Sequence, residues 1–270
     1  MPRPSMRERI AKSAPLVALG ARLARKGFLA TASIAIGIFT TVATVAIAIG
    51  AARRGGEAPV SAVPIVASGA LAWGAGFLLA FSAAAHSLRN DRAEGIQHLL
   101  LARTTSLRAY VVARIVGLAA LLVIVVAGGT LLTGIAATLA AVKFGSVWKT
   151  LQATGAAVAF ALAFSAVISP IAFAALGARS RVGGYLFMIF VVVLPEVFAG
   201  MLEGPLPQSV TEVIAIPSAL AALRSALAPG TFDFARVLRA SVALGFWMMI
   251  GSFLVRRAVG IVHSGEADAA

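Results

Sequence analysis

A chain of 270 residues that is 60% hydrophobic, 12% charged and +0.96 in mean hydropathy carries more apolar surface than a soluble domain of that size can bury, since ordinary globular chains are about half apolar and a quarter charged. A net charge of +13 would point to nucleic acid in a soluble protein; here the basic residues cluster between long uncharged runs, which argues against nucleic acid as a partner. The absence of cysteine excludes disulfides and thiolate metal sites.

The uncharged runs cover 27–52, 58–88, 115–142, 150–178, 182–195 and 240–255. About 20 apolar residues cross a bilayer's hydrocarbon core, so the first four are each long enough alone. The fifth needs Glu196 near its far end, and the sixth needs Arg239 or Arg257 to snorkel. The runs are apolar on every side, unlike the alternating strands of a membrane barrel. The first follows seven basic residues and is too long for a signal-peptide core, so it reads as a retained span. The connectors on one side hold sixteen Lys and Arg, those on the other side seven. The positive-inside rule then puts both termini in the cytoplasm. The expected fold is an all-α integral membrane protein: six transmembrane helices preceded by an amphipathic interfacial helix.

In chain order, residues 1–27 form a cytoplasmic tail and that interfacial helix. Leu16, Leu19 and Leu23 make an apolar stripe, with Arg22, Arg25 and Lys26 off it toward anionic lipid. The six-span domain occupies 28–258. A loop is expected over 51–64, where Gly and Pro punctuate the chain. The third span, from about Val111 to Ala141, is longer than a bilayer requires. Pro170 marks a kink near the end of the fourth. The segment 194–230 holds Pro195, Pro205, Pro207, Pro217 and Pro229 together with Glu196, Glu203 and Glu212. It is too broken and acidic for a lipid-facing span and too apolar for a simple loop. Short helices near the outer face are expected, tolerated at membrane depth only against protein or a water-filled cavity. Pro195, Glu196 and Pro217 are candidates for the pathway or an outer gate; for Glu196 a structural role at the outer surface beside Pro195 is the favoured reading and the pathway the alternative. Residues 259–270 are expected to be an irregular cytoplasmic tail.

Catalytic motifs are missing. None of the four lysines follows a glycine, so there is no phosphate-cradling G-x-x-x-x-G-K-[ST] loop and no ATPase site on this chain. His86, His98 and His263 make no H-E-x-x-H pair, Ser146–Lys149 matches S-x-x-K only in a turn, and G-x-S-x-G does not occur. No metal site and no cofactor bound by this chain is expected.

The connector 89–110 is unusual for a chain this apolar. Asp91 can cap a helix and Glu94 falls in its first turn, where negative charge suits the dipole. Ile96, Leu99, Leu100 and Leu107 share one face. Such a helix lies along the cytoplasmic surface on short tethers to the second and third spans, a geometry suited to transmitting motion to both.

The stretch "DRAEGIQHLLLARTTSLRAYVVARIVG" (91–117) resembles the signature of type-2 ABC exporter permeases. Glu94–Gly95 match that family's acidic–Gly element, Leu99–Leu100 its Leu pair and Arg108 the Arg of its turn. Arg114 stands where a Lys is common. Thr104–Thr105 occupy a turn where the family often has Pro. The layout is similar too, and "AIPSALAALRSAL" (215–227) is similar to the family's Pro-containing outer helix. The resemblance implies a permease subunit of the bacterial plasma (inner) membrane without its own ATPase. It would pair with a second permease subunit and with a cytoplasmic ABC ATPase that carries ATP and Mg. The connector would dock on that ATPase through Asp91, Arg92, Glu94 and their neighbours. Two other classes stay open: an ATP-independent secondary transporter or channel, and a membrane scaffold of an envelope assembly.

Overall fold

The computed structural model describes residues 6–54, 57–85, 107–175, 181–202 and 205–267. Among them every regular element is helical, and six helices are long and apolar enough to cross a membrane. The chain is a multi-pass membrane protein.

Helix α1 (Met6–Ala24) precedes the first span, α2 (Phe28–Arg54). Span two, α3, runs Glu57–Ala70, passes through a π-helical turn at Leu71–Gly76 and continues as Phe77–Ala85. Span three, α4, has the same construction: Leu107–Leu122, a π-turn at Val123–Gly128, then Gly129–Ala141. Span four is α5 (Val147–Ala174). Span five, α6, joins Arg181–Met188 through a π-turn at Ile189–Val193 to Leu194–Met201. Two short helices follow, α7 (Gln208–Ile214) and α8 (Ile216–Ala226), and the sixth span is α9 (Phe234–Ala267).

Helix α5 is the centre of the bundle. It is 72% buried over its most apolar stretch, against 17% for α2 and 22% for both α6 and α9. Phe160, Phe164, Ile168 and Ile171 point inward from it, and Trp73 of α3 meets Phe164 edge-on with ring centroids 5.3 Å apart, a favourable aromatic geometry. The outer helices turn large apolar side chains to the lipid, as Phe39 of α2 and Phe246 of α9 do. Small residues and hydroxyls hold spans together where lipid gives no hydrophobic drive. Gly76 sits against Phe164 and Val126, so that a Cβ there would lie 2.8 Å from each. Thr44 of α2 and Thr133 of α4 share a 2.9 Å hydroxyl hydrogen bond.

Several expectations move. The loop expected over 51–64 is mostly helix: α2 persists to Arg54 and α3 starts at Glu57, with Pro59 in the first turn, where its missing N–H costs nothing. The third span reaches from Arg108 to Phe144, about 55 Å at 1.5 Å per residue, overlong as expected. Pro195 does not break the fifth span, because the π-turn ahead of it absorbs the lost backbone bond and α6 continues to Met201. The tail expected to be irregular extends α9 to Ala267.

Candidate functional site: a charged chamber beside α8

The amphipathic N-terminal segment folds back on the third span. Gly20 and Gly117 bring α1 and α4 together backbone to backbone; a Cβ on Gly20 would stand 2.5 Å from the Ala113 carbonyl oxygen, and one on Gly117 2.5 Å from the Ala21 nitrogen. Leu23 is buried, and Leu16 and Leu19 are partly covered, with Leu19 against the core. Arg22, Arg25 and Lys26 are exposed. The predicted stripe is thus turned toward protein, and of the basic residues Arg22 lies in the last turn of α1 while Arg25 and Lys26 follow its end.

Of the connector residues, Asp91, Arg92, Glu94, Gly95, Leu99 and Leu100 lie outside the described residues. Arg108 is exposed at the start of α4. Arg114, two turns further, is only 2% exposed. Its Nη1 donates to the Tyr110 hydroxyl at 3.0 Å, and its guanidinium lies 5.6 Å from the Phe173 ring centre and 5.8 Å from that of Tyr110, within cation–π range. The charge of Arg114 is spent inside the bundle, joining α4 to the end of α5.

The opposite end of the bundle holds the more chemical arrangement. Ala215 is extended, at φ −117° and ψ 149°, and Pro217 opens α8, where its fixed φ suits the first turn. Ile216, Ala219, Leu220 and Leu223 are buried at the i, i+3, i+4, i+7 spacing of one helix face. That face packs on α5 and α9. Packing there carries Arg224 into the bundle. Its Nη1 donates to the Ile65 carbonyl at 3.0 Å, and its guanidinium stands 4.9 Å from the ring centre of buried Phe160. Ile65 is eight residues into α3 and Phe160 thirteen into α5, roughly 12 and 20 Å along those helices. Helix α8 therefore dips below the ends of its neighbours. Gly69 makes room, since a Cβ there would touch Arg224 Nη1 at 3.0 Å. Burial lowers the pKa of Arg224 from its ordinary value, though arginine stays charged in proteins.

Glu196 comes from α6 and reaches the start of α8. Its Oε2 accepts the Ser218 N–H at 3.0 Å and the Ser218 hydroxyl at 2.8 Å, a carboxylate at the positive end of a helix dipole. From the other side, Arg236 of α9 grips Glu212 of α7 in a two-point ion pair, Nε to Oε2 at 3.2 Å and Nη2 to Oε1. These four charged residues line one cavity of about 500 Å³. A neighbouring cavity of about 630 Å³ shares Ile65 and Ala228 with it and extends to Trp148 and Lys149. Among the described residues no group of His, Asp and Glu could hold a metal ion.

The structure thus gathers two of the singled-out residues, Glu196 and Pro217, at α8 and leaves Pro195 a turn-former in α6. Arg224, Ser218 and Arg236 carry no site expectation from the sequence, and Glu212 figures there only as one of the acidic residues of 194–230. The readable signal was the apolar face of α8, which places the arginine beside it at depth. No protein-family model matches the chain, and neither does any curated protein sequence.

Proposed function

We propose that this protein is the membrane-spanning subunit of an ATP-driven exporter in a bacterial plasma membrane, paired with a second permease subunit and served by a separate ABC ATPase. The observation that carries the transport reading is the charged chamber beside α8. Intramembrane charge is costly and marks substrate or ion pathways, and a passive scaffold has no use for it. Coupling to ATP rests on the resemblance of 91–117 and gains support from the Gly20–Gly117 contact. That contact fastens α1 to the head of the third span, so a push on the connector would move a braced unit rather than one isolated helix.

The test is reconstitution with the ABC-type ATPase that co-purifies with the chain. Glu94→Arg or Gly95→Leu would abolish transport-linked stimulation of ATP hydrolysis while membrane insertion survives; unchanged stimulation refutes the assignment. One observation favours a second reading. A cation on a short helix dipping into the bundle is the kind of site an ATP-independent transporter builds. Substrate flux into vesicles that lack any ATPase would select that reading.

A further inference from the structure

We infer that the chamber beside α8 binds a zwitterion: a small group carrying an ammonium and an anionic phosphate or carboxylate a few bonds apart. Some of the chamber's charges are already satisfied. Glu212 and Arg236 neutralise each other through two contacts. Arg224 spends one of its five N–H donors on the Ile65 carbonyl and lays its face on Phe160. Among the described residues Glu196 commits only Oε2, to Ser218. A carboxylate and a guanidinium with donor and acceptor capacity left over therefore line the same cavity. Their positions on α8 are distinct, since Ser218, which holds Glu196, and Arg224 are six residues apart, about 9 Å between backbone positions along the helix axis. A lone anion at Arg224 would feel the Glu196 carboxylate, and a lone cation at Glu196 would feel the guanidinium. In a site of reduced dielectric such like-charge terms are substantial. A solute carrying both signs answers both groups and leaves the chamber neutral.

Two sources fit this chemistry: a phospholipid headgroup of the ethanolamine kind, or a free zwitterionic solute. As a statement about cargo the inference rests on the transport reading. As a statement about binding it does not, and the experiment measures binding alone, so its failure is distinguishable from failure of the ATPase assay above.

The full chain in nanodiscs of phosphatidylglycerol is titrated with glycerophosphoethanolamine, with glycerol phosphate and with ethanolamine, and binding is read by calorimetry. The expected result is saturable binding of glycerophosphoethanolamine at least tenfold tighter than either half-molecule. Glu196→Gln and Arg224→Gln each weaken it at least tenfold. Arg239→Gln, on exposed α9 surface outside the chamber, changes nothing. Glu196→Gln keeps an acceptor for Ser218 and preserves the start of α8, so it carries the test alone should Arg224→Gln fail to fold. Replacing phosphatidylglycerol by phosphatidylethanolamine then names the source. Competition with the soluble probe identifies a lipid headgroup, and unaltered affinity identifies a free solute; both agree with a zwitterion site. Equal binding of the half-molecules, no binding of the zwitterion, or wild-type affinity in Glu196→Gln overturns it.

Discussion

Replacing Gly117 by alanine inserts one methyl group between two helices that touch main chain to main chain. The new Cβ would stand 2.5 Å from the Ala21 nitrogen and 2.7 Å from the Gly20 carbonyl carbon, where ordinary contact needs about 3.5 Å. Neither neighbour is a flexible side-chain end. The helices must separate by about 1 Å, and overpacking of this kind costs about 1–3 kcal/mol. For a chain of this size that corresponds to a fall in melting temperature of about 2–12 °C. Thermal unfolding in nanodiscs gives the first readout. The second uses the absence of native cysteine: spin labels at Arg25→Cys and Val112→Cys, both exposed positions, report the α1–α4 distance directly. Gly117→Ala should lengthen and broaden that distribution. Gly155→Ala is the control, because nothing lies within 4 Å of its Cβ; it should be neutral or gain up to about 1 kcal/mol from helix propensity. A Gly117→Ala protein that melts with the wild type and keeps its label distance would refute the brace.

Three further outcomes follow from the same geometry. Arg236→Met strands Glu212, whose side chain is only 14% exposed, and should cost about 1.5–3 kcal/mol in thermal unfolding; adding Glu212→Leu should recover most of it, since removing both charges leaves nothing unpaired. Thr133→Val removes the hydroxyl bridge to Thr44 and should cost only about 0.6 kcal/mol, the usual worth of such bonds inside membranes, with little change in the Thr44→Val background. Asp233→Ala deletes the cap of α9, where Oδ1 accepts the Arg236 N–H at 3.1 Å; about 1 kcal/mol should be lost, seen as faster hydrogen exchange in the first turn of α9 alone.

Much of the architecture was legible because spans announce themselves. Runs such as 150–178 are longer and more apolar than a soluble helix needs, and α5 covers that run as far as Ala174. Helix ends were harder. Gly and Pro around Glu57 read as a loop, yet a proline in a first turn and the burial of Val60, Val63 and Pro64 just after it allow a helix there. The segment after Leu194 was legible in kind but not in depth. Its prolines correctly signalled short helices, while Pro195 proved compatible with a continuing span because of the π-turn before it. By charge count alone, Arg224 falls among the seven basic residues of one side's connectors. Its position depends on the partners that α8 finds, Phe160 and Ile65, ninety-five residues apart in sequence. No local pattern encodes that meeting. Arg114 shows the same limit: its spacing invited comparison with a basic residue opening the third span, while its burial between Tyr110 and Phe173 is a tertiary fact.

The π-turns in α3 and α4 have a geometric consequence. Each holds one residue more than an α-turn, and one residue corresponds to about 100° of rotation. The two halves of each span are thereby set out of phase, so that a single rod shows one azimuth to its upper neighbours and a different one to its lower neighbours. Along α3 this lets Gly69 yield to Arg224 near one surface while Phe81 stacks on Tyr185 toward the other, 4.3 Å between ring centres. Smoothing the bulge of α3 into regular helix would twist one half of that rod against the other and forfeit one of those two fits.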